Sequence, residues 1–215
     1  MPPRQGILAT GETYHVFNRG LRHEPIFTEK REFHLFLDAA FFYLQTEPSI
    51  KFSYYWQQPN KYDLHLDKKL VDIHAYTIMP NHFHFLLTQR EEEGIRKFIH
   101  RLSSSYSKYF NIKHNQKGPV FEARFKTVRV ESQEQLVHLS RYIHLNPVTA
   151  FLVESPEDYE FSSYRDYIGL EKNSFLDPTL VLNSFSAGSY RDFVMDQKDY
   201  QRELKRIVSL TLELE

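Results

Sequence analysis

The stretch from His74 to Thr88, HAYTIMPNHFHFLLT, contains two β-rich runs, His74 to Ile78 and Phe83 to Thr88, separated by Met79-Pro80-Asn81. Proline presets its own φ and asparagine tolerates tight-turn backbone, so the stretch reads as a hairpin of two strands. Side chains alternate between faces along a strand. His82 and His84 therefore project together, while Phe83 points the other way into an apolar layer.

Upstream, Thr13 to Asn18 (TYHVFN) reads as a first strand that ends at the turn Arg19-Gly20. Lys30 to Leu44 follows as an amphipathic helix, with Phe33, Phe36, Leu37, Ala40 and Leu44 near helical spacing. The segment from Glu47 to Leu70, which holds Pro48, Pro59 and several tyrosines, shows no period and reads as an insertion or long connection over about 47–70. Downstream, a second helix is expected from Gly94 to Phe110, burying Ile95, Phe98, Ile99, Leu102 and Tyr106. Phe125 to Val130 alternates as a strand, and Ser132-Gln133-Glu134-Gln135 has the form of a capping box that starts a third helix. Pro147 disfavours helical backbone at the residue before it, so this helix is expected to end near Asn146.

The order is β-α-β-β-α-β-α. Its first six elements match the split βαβ, ferredoxin-like arrangement, an α+β fold whose antiparallel sheet carries helices on one face and presents the other. The third helix is an addition to that plan. Residues 1–168 are expected to form the principal domain and 169–215 an acidic C-terminal extension, with a late helical pattern from Tyr190 to Leu210.

The chain has 215 residues, enough for one domain with a sizeable core. It lacks cysteine, which excludes disulfide frameworks, thiolate metal sites and cysteine nucleophiles. Any metal is therefore expected to be a hard one, held by His, Asp, Glu or Asn. No run approaches the roughly 20 apolar residues of a membrane helix, and the N-terminus lacks the apolar stretch of a secretory signal, so a cytoplasmic protein is expected. The net charge of −1 averages over a strong asymmetry: Ile95 to Arg129 carries nine Lys or Arg against one acid, whereas Glu154 to the end carries seven against thirteen. A basic stretch interleaved with Tyr106, Tyr109, Phe110, Phe121 and Phe125 suits a phosphate backbone with splayed bases.

Two imidazoles on one strand face make a pair of metal ligands. On the third helix, His138, Tyr142 and Asn146 fall at i, i+4 and i+8 and share a face. Asn146 offers an amide oxygen to the same metal. Tyr142 offers a phenol one turn away, within reach of a phosphate bound there.

Five blocks now resemble the single-tyrosine HUH transposases, and within them the REP-associated tyrosine transposases. They are Tyr14-His15-Val16-Phe17-Asn18-Arg19-Gly20, Ala75 to Leu87, Gly118 to Lys126, Arg141-Tyr142-Ile143-His144-Leu145-Asn146-Pro147-Val148, and Phe161-Ser162-Ser163-Tyr164. They occur in the family's order over roughly residues 12 to 168. The resemblance implies a ferredoxin-like catalytic domain, a divalent cation such as Mg or Mn held by His82 and His84, and Tyr142 as the nucleophile. The family's third ligand is a side-chain amide four residues after the tyrosine, which falls on Asn146, where some relatives carry Gln. The implied reaction is metal-dependent cleavage and rejoining of single-stranded DNA through a 5′-phosphotyrosine, on palindromic hairpins with a short guide sequence nearby. Arg19, Arg22, Arg96, Arg101, Arg124 and Lys126 are the candidate backbone contacts. His138 and His144 are the candidate bases for the phenol. Relatives include monomers and homodimers, and either state is open here.

Two other readings remain at this point: a hairpin-binding protein without transposition activity, and a phosphodiesterase that uses water. A covalent protein–DNA species that requires Tyr142 excludes both.

Overall fold

The structure is a computed structural model that describes residues 8–186 and 189–198. Four strands form the sheet: β1 (Thr13–Arg19), β2 (Val71–Met79), β3 (His82–Gln89) and β4 (Lys126–Arg129). Their order is β2-β3-β1-β4, and each neighbouring pair is antiparallel. In this split βαβ, β3 lies between β1 and β2. Helices α1 (Lys30–Phe42) and α3 (Gly94–Lys113) supply the crossovers. The expected ferredoxin-like α+β order is present.

The apolar side of the sheet packs on α1 and α3. Val16, Ile78, Phe83 and Phe85 face Phe36, Phe98, Leu102 and Tyr106, all fully buried. The Phe36 ring meets Phe27, Phe83, Phe85, Tyr106 and Phe121 within 6.4 Å. Tyr106 belongs to this core, as its helical spacing indicates, and its hydroxyl donates to the carbonyl of Ile26. The insertion contains a short helix, α2 (Phe52–Gln57), which buries Phe52 and Tyr55 against Phe42. Six residues are too few to show a period, which explains why no element was legible there.

Two expectations are corrected. The second sheet face is not left open. Helix α4 (Gln133–Thr149) crosses it and closes a second core around Ala75, Leu86, Ile143, Leu145 and Val148. This helix also runs through Pro147 instead of stopping at Asn146. Every residue from Ile143 to Thr149 is buried, and packing at this level outweighs one lost backbone hydrogen bond in a last turn. The capping signal holds at the other end, where Ser132 Oγ accepts from the Gln135 amide at 3.1 Å.

Beyond residue 156 the chain covers α4 from outside with α5 (Tyr164–Tyr167), α6 (Thr179–Leu182) and α7 (Ser189–Met195). Helix α7 falls within the late helical pattern, whose remainder after residue 198 lies outside the described residues. Among the described residues, no helix is long and apolar enough to cross a membrane.

Candidate active site

Strand register builds the site. Phe17 pairs with His84, Arg19 with His82, and His15 with Leu86, so His15, Phe17, His82 and His84 share the face opposite Phe83. The His82 and His84 rings lie 5.0 Å apart, centre to centre. His82 Nδ1 lies 2.6 Å from Asn81 Oδ1, and His84 Nδ1 lies 2.9 Å from Nε2 of His15. Both contacts engage Nδ1, so metal coordination through Nε2 is compatible with each.

Helix α4 brings Tyr142 over this face. Its ring centre is 5.6 Å from His84 and 6.0 Å from His15, both edge-on. The side chain is 43 % exposed in a molecule whose other large rings are mostly buried. Tyr142, His82, His84, Arg19 and Lys126 line one cleft of about 830 Å³, which Phe17 and Glu122 help to close. Asn146 is buried one turn along α4, and its Nδ2 donates to the Tyr142 carbonyl at 3.0 Å. That bond uses the amide nitrogen and is compatible with the oxygen acting as a ligand.

The rim of the cleft is set by a close approach. A Cβ on Gly20 would sit 2.4 Å from the Glu24 carbonyl oxygen and 2.7 Å from Ile26 Cγ2, so only glycine fits. Its amide donates to Asn81 at 2.7 Å, which docks the following loop on the hairpin turn. Arg22 and His23 in that loop take left-handed backbone, with φ of 58° and 62°. Asn81 Nδ2 holds the His23 carbonyl at 2.9 Å.

The structure separates the expected DNA contacts. Arg19 and Lys126 line the cleft, and Arg19 is paired with Glu122 at 2.5 Å. Arg96 and Arg124 line a neighbouring cleft, with Arg96 bonded to Glu93 at 2.8 Å. Arg101 lines a third, its guanidinium donating to the carbonyls of Gln45 and Thr46. Arg22 is exposed on the left-handed turn.

Of the two candidate bases, His144 does not stand beside the phenol. His144 is fully buried on another side of α4, between Tyr190 Oη at 2.6 Å and Ser163 Oγ at 2.8 Å. Burial lowers its pKa to about 3. His138 is exposed and lies 2.6 Å from an Arg141 guanidinium nitrogen.

His15 is the residue that sequence reasoning passed over. It sits inside a quoted motif block, but only the β1–β3 register shows that its ring meets His84. Burial lowers its pKa to about 4, so it is neutral at physiological pH.

Among the described residues, no three His, Cys, Asp or Glu side chains are grouped to hold a metal. Two imidazoles on one strand face still fit a divalent cation, whereas Asn146 is buried and is not among the residues that line their cleft.

The comparisons agree with this geometry. Residues 62–146, which contain the histidine pair, Tyr142 and Asn146, match the model of the family described as transposase IS200 like. No curated protein matches the chain. Among solved structures, a REP-associated tyrosine transposase bound to a REP hairpin is similar in fold. It has a TM-score of 0.51 and 16 % identity, over 82 % of this chain and 98 % of the other. Residues 62–146 are therefore similar to the IS200-like transposases, and the fold is similar to that of a REP-associated tyrosine transposase.

Proposed function

We propose that this protein is a metal-dependent single-stranded DNA endonuclease and strand transferase that acts on hairpin-containing DNA through a phosphotyrosine. One observation carries this reading: an exposed phenol, Tyr142, lies across a single cleft from the His82–His84 pair. Tyr142 Oη attacks the scissile phosphorus, the new O–P bond forms as the P–O3′ bond breaks, and DNA stays attached through its 5′ phosphate. The phenolic proton leaves to solvent, and the departing 3′ oxygen gains one. Another 3′-hydroxyl reverses the step with a new partner strand, conserving the phosphodiester.

His82, His84 and Asn146 would hold Mg or Mn. Such a cation, when bound, would supply Lewis-acid polarisation of the phosphate and offset charge on its oxygens. His15 would hold the orientation of the His84 ring for that role, and Asn81 would do the same for His82. Arg19 and Lys126 contact phosphates flanking the scissile one, with Glu122 restraining the Arg19 side chain. Arg96, Arg124, Arg101 and Arg22 contact the strand further out. The hairpin is inferred from the fold relative, which was solved with one.

The test uses hairpin DNA labelled at either end, in Mg or Mn, resolved on denaturing gels. A covalent species that retains the 3′ label and is lost in Tyr142→Phe and in chelator is expected. Tight hairpin binding without that species would make this a binding module, and cleavage that survives Tyr142→Phe would make water the nucleophile.

A further inference from the structure

The catalytic cleft does not end at its own walls. Asn18 and Glu122 line it and also line the neighbouring cleft of about 910 Å³ between α3 and the loop before β4. His100 and Ser104 of α3 are in turn shared by that cleft and a third, of about 550 Å³, where α3 meets α2 of the insertion. The three clefts therefore adjoin in series, the last two lying on either side of the exposed His100–Ser104 row of α3.

The far end has a consistent chemistry. Lys51, Arg101 and Lys108 line it, and no acidic side chain is among its lining residues. Trp56 and Tyr109 stand in its wall with ring centres 6.3 Å apart, and the Arg31 guanidinium lies 5.0 Å from the Trp56 ring. The Trp56 indole nitrogen donates to Asp38 at 3.2 Å, which fixes the ring. Fixed rings beside cations are what unpaired nucleotides require, because every base has a π-face and every linkage a negative charge. A duplex offers no such faces, and the clefts that adjoin this one are those proposed to hold a single strand. Helix α2 precedes the residues that match the family model, so Lys51 and Trp56 come from outside the matched segment, whereas the α3 wall with Lys108 and Tyr109 lies within it.

We propose that the junction of α2 and α3 is a distal subsite for single-stranded DNA, in which Trp56 and Tyr109 stack on bases and Lys51 and Lys108 contact phosphates of the strand held at Tyr142. The proposal rests on the single-stranded DNA reading above and adds a second grip on the same strand.

Trp56 is the only tryptophan in the chain, so its emission reports on this subsite alone. The experiment titrates full-length Tyr142→Phe protein with a fluorescently labelled hairpin bearing a short unpaired flank, and with the same hairpin extended at either end by about ten nucleotides, a span within known site sizes. Anisotropy measures binding while Trp56 emission is followed in parallel. We expect both forms to bind, but only an extended one to quench Trp56, with affinity raised about tenfold, the value of one stacked base. Lys108→Glu should abolish the gain and leave the short form unaffected. Saturating binding of both extended forms without quenching, or an equal loss for short and extended forms in Lys108→Glu, would overturn the subsite while leaving the catalytic reading intact. If neither form binds, the single-stranded DNA reading falls too.

Discussion

Tyr142 and His15 show what single residues contribute to this site. Tyr142 is exposed, and its ring is not part of either core, so Tyr142→Phe should leave the melting temperature within about 1 °C, a change below roughly 0.5 kcal/mol. Loss of all covalent product together with a shifted melting curve would instead mean that the hydroxyl supports the fold. His15 touches His84 through Nε2 at 2.9 Å, so in the proposed site it is a positioning residue. His15→Ala should weaken Mn binding, read by electron paramagnetic resonance, by about 10- to 100-fold, the usual cost of removing a group that orients a ligand imidazole. His15→Gln keeps an amide within reach of His84 Nδ1 and should recover part of that affinity. Equal Mn affinity in all three proteins would remove His15 from the metal's support.

At the scale of elements, α1 and α3 are tied by one buried carboxylate. Glu32 accepts from the Thr28 amide at 2.6 Å and from Thr28 Oγ1 at 2.9 Å. It also accepts from Lys113 at 3.0 Å and lies 2.6 Å from His114 Nε2 at the end of α3. Burial works to raise its pKa, but these donors together overcome burial and bring it down to about 2. A carboxylate with a depressed folded pKa stabilises above its unfolded value and loses that contribution as pH falls through the folded one. Glu32→Gln should therefore cost about 1–3 kcal/mol at pH 7, and the gap from wild type should close between pH 4.5 and about 2. Denaturant melts across that range decide it, and a gap that stays constant with pH would mean the cost is one of shape, not charge. Phe36 makes the complementary apolar case: Phe36→Ala should cost about 3–5 kcal/mol, because five rings lose their common neighbour.

Across the whole molecule, the acidic extension reaches the back of the tyrosine helix. The Tyr190 hydroxyl on α7 meets His144 and Ser140 of α4 at 2.6 and 3.0 Å, and Val181 and Val194 complete the second core. The Asp177 amide donates to Ile73 at 2.8 Å, and the Asp177 carbonyl lies 2.8 Å from His74 Nδ1, which ties the same segment to β2. Tyr190→Phe removes two hydrogen bonds and leaves His144 short of a partner, so a loss of about 1–3 kcal/mol is expected, a shift of several degrees in melting temperature. Hydrogen exchange should show the added opening concentrated in α4. Unchanged protection there would separate the extension from the positioning of Tyr142.

The order of elements, the hairpin, the shared face of His82 and His84 and the core face of α3 were all legible in sequence, because each depends on local alternation, helical spacing or turn chemistry. The motif blocks named the tyrosine for the same reason: its neighbours in the chain identify it. What needed the tertiary structure was every relation across chain distance. The β1–β3 register set His15 against His84, and side-chain burial carried α4 past Pro147. Packing of α7 enclosed His144 in the second core, and a helix too short to show a period placed part of the insertion beside α3 in a shared cleft. Local pattern encodes which face a residue takes, whereas which faces meet is decided by the burial of the whole chain.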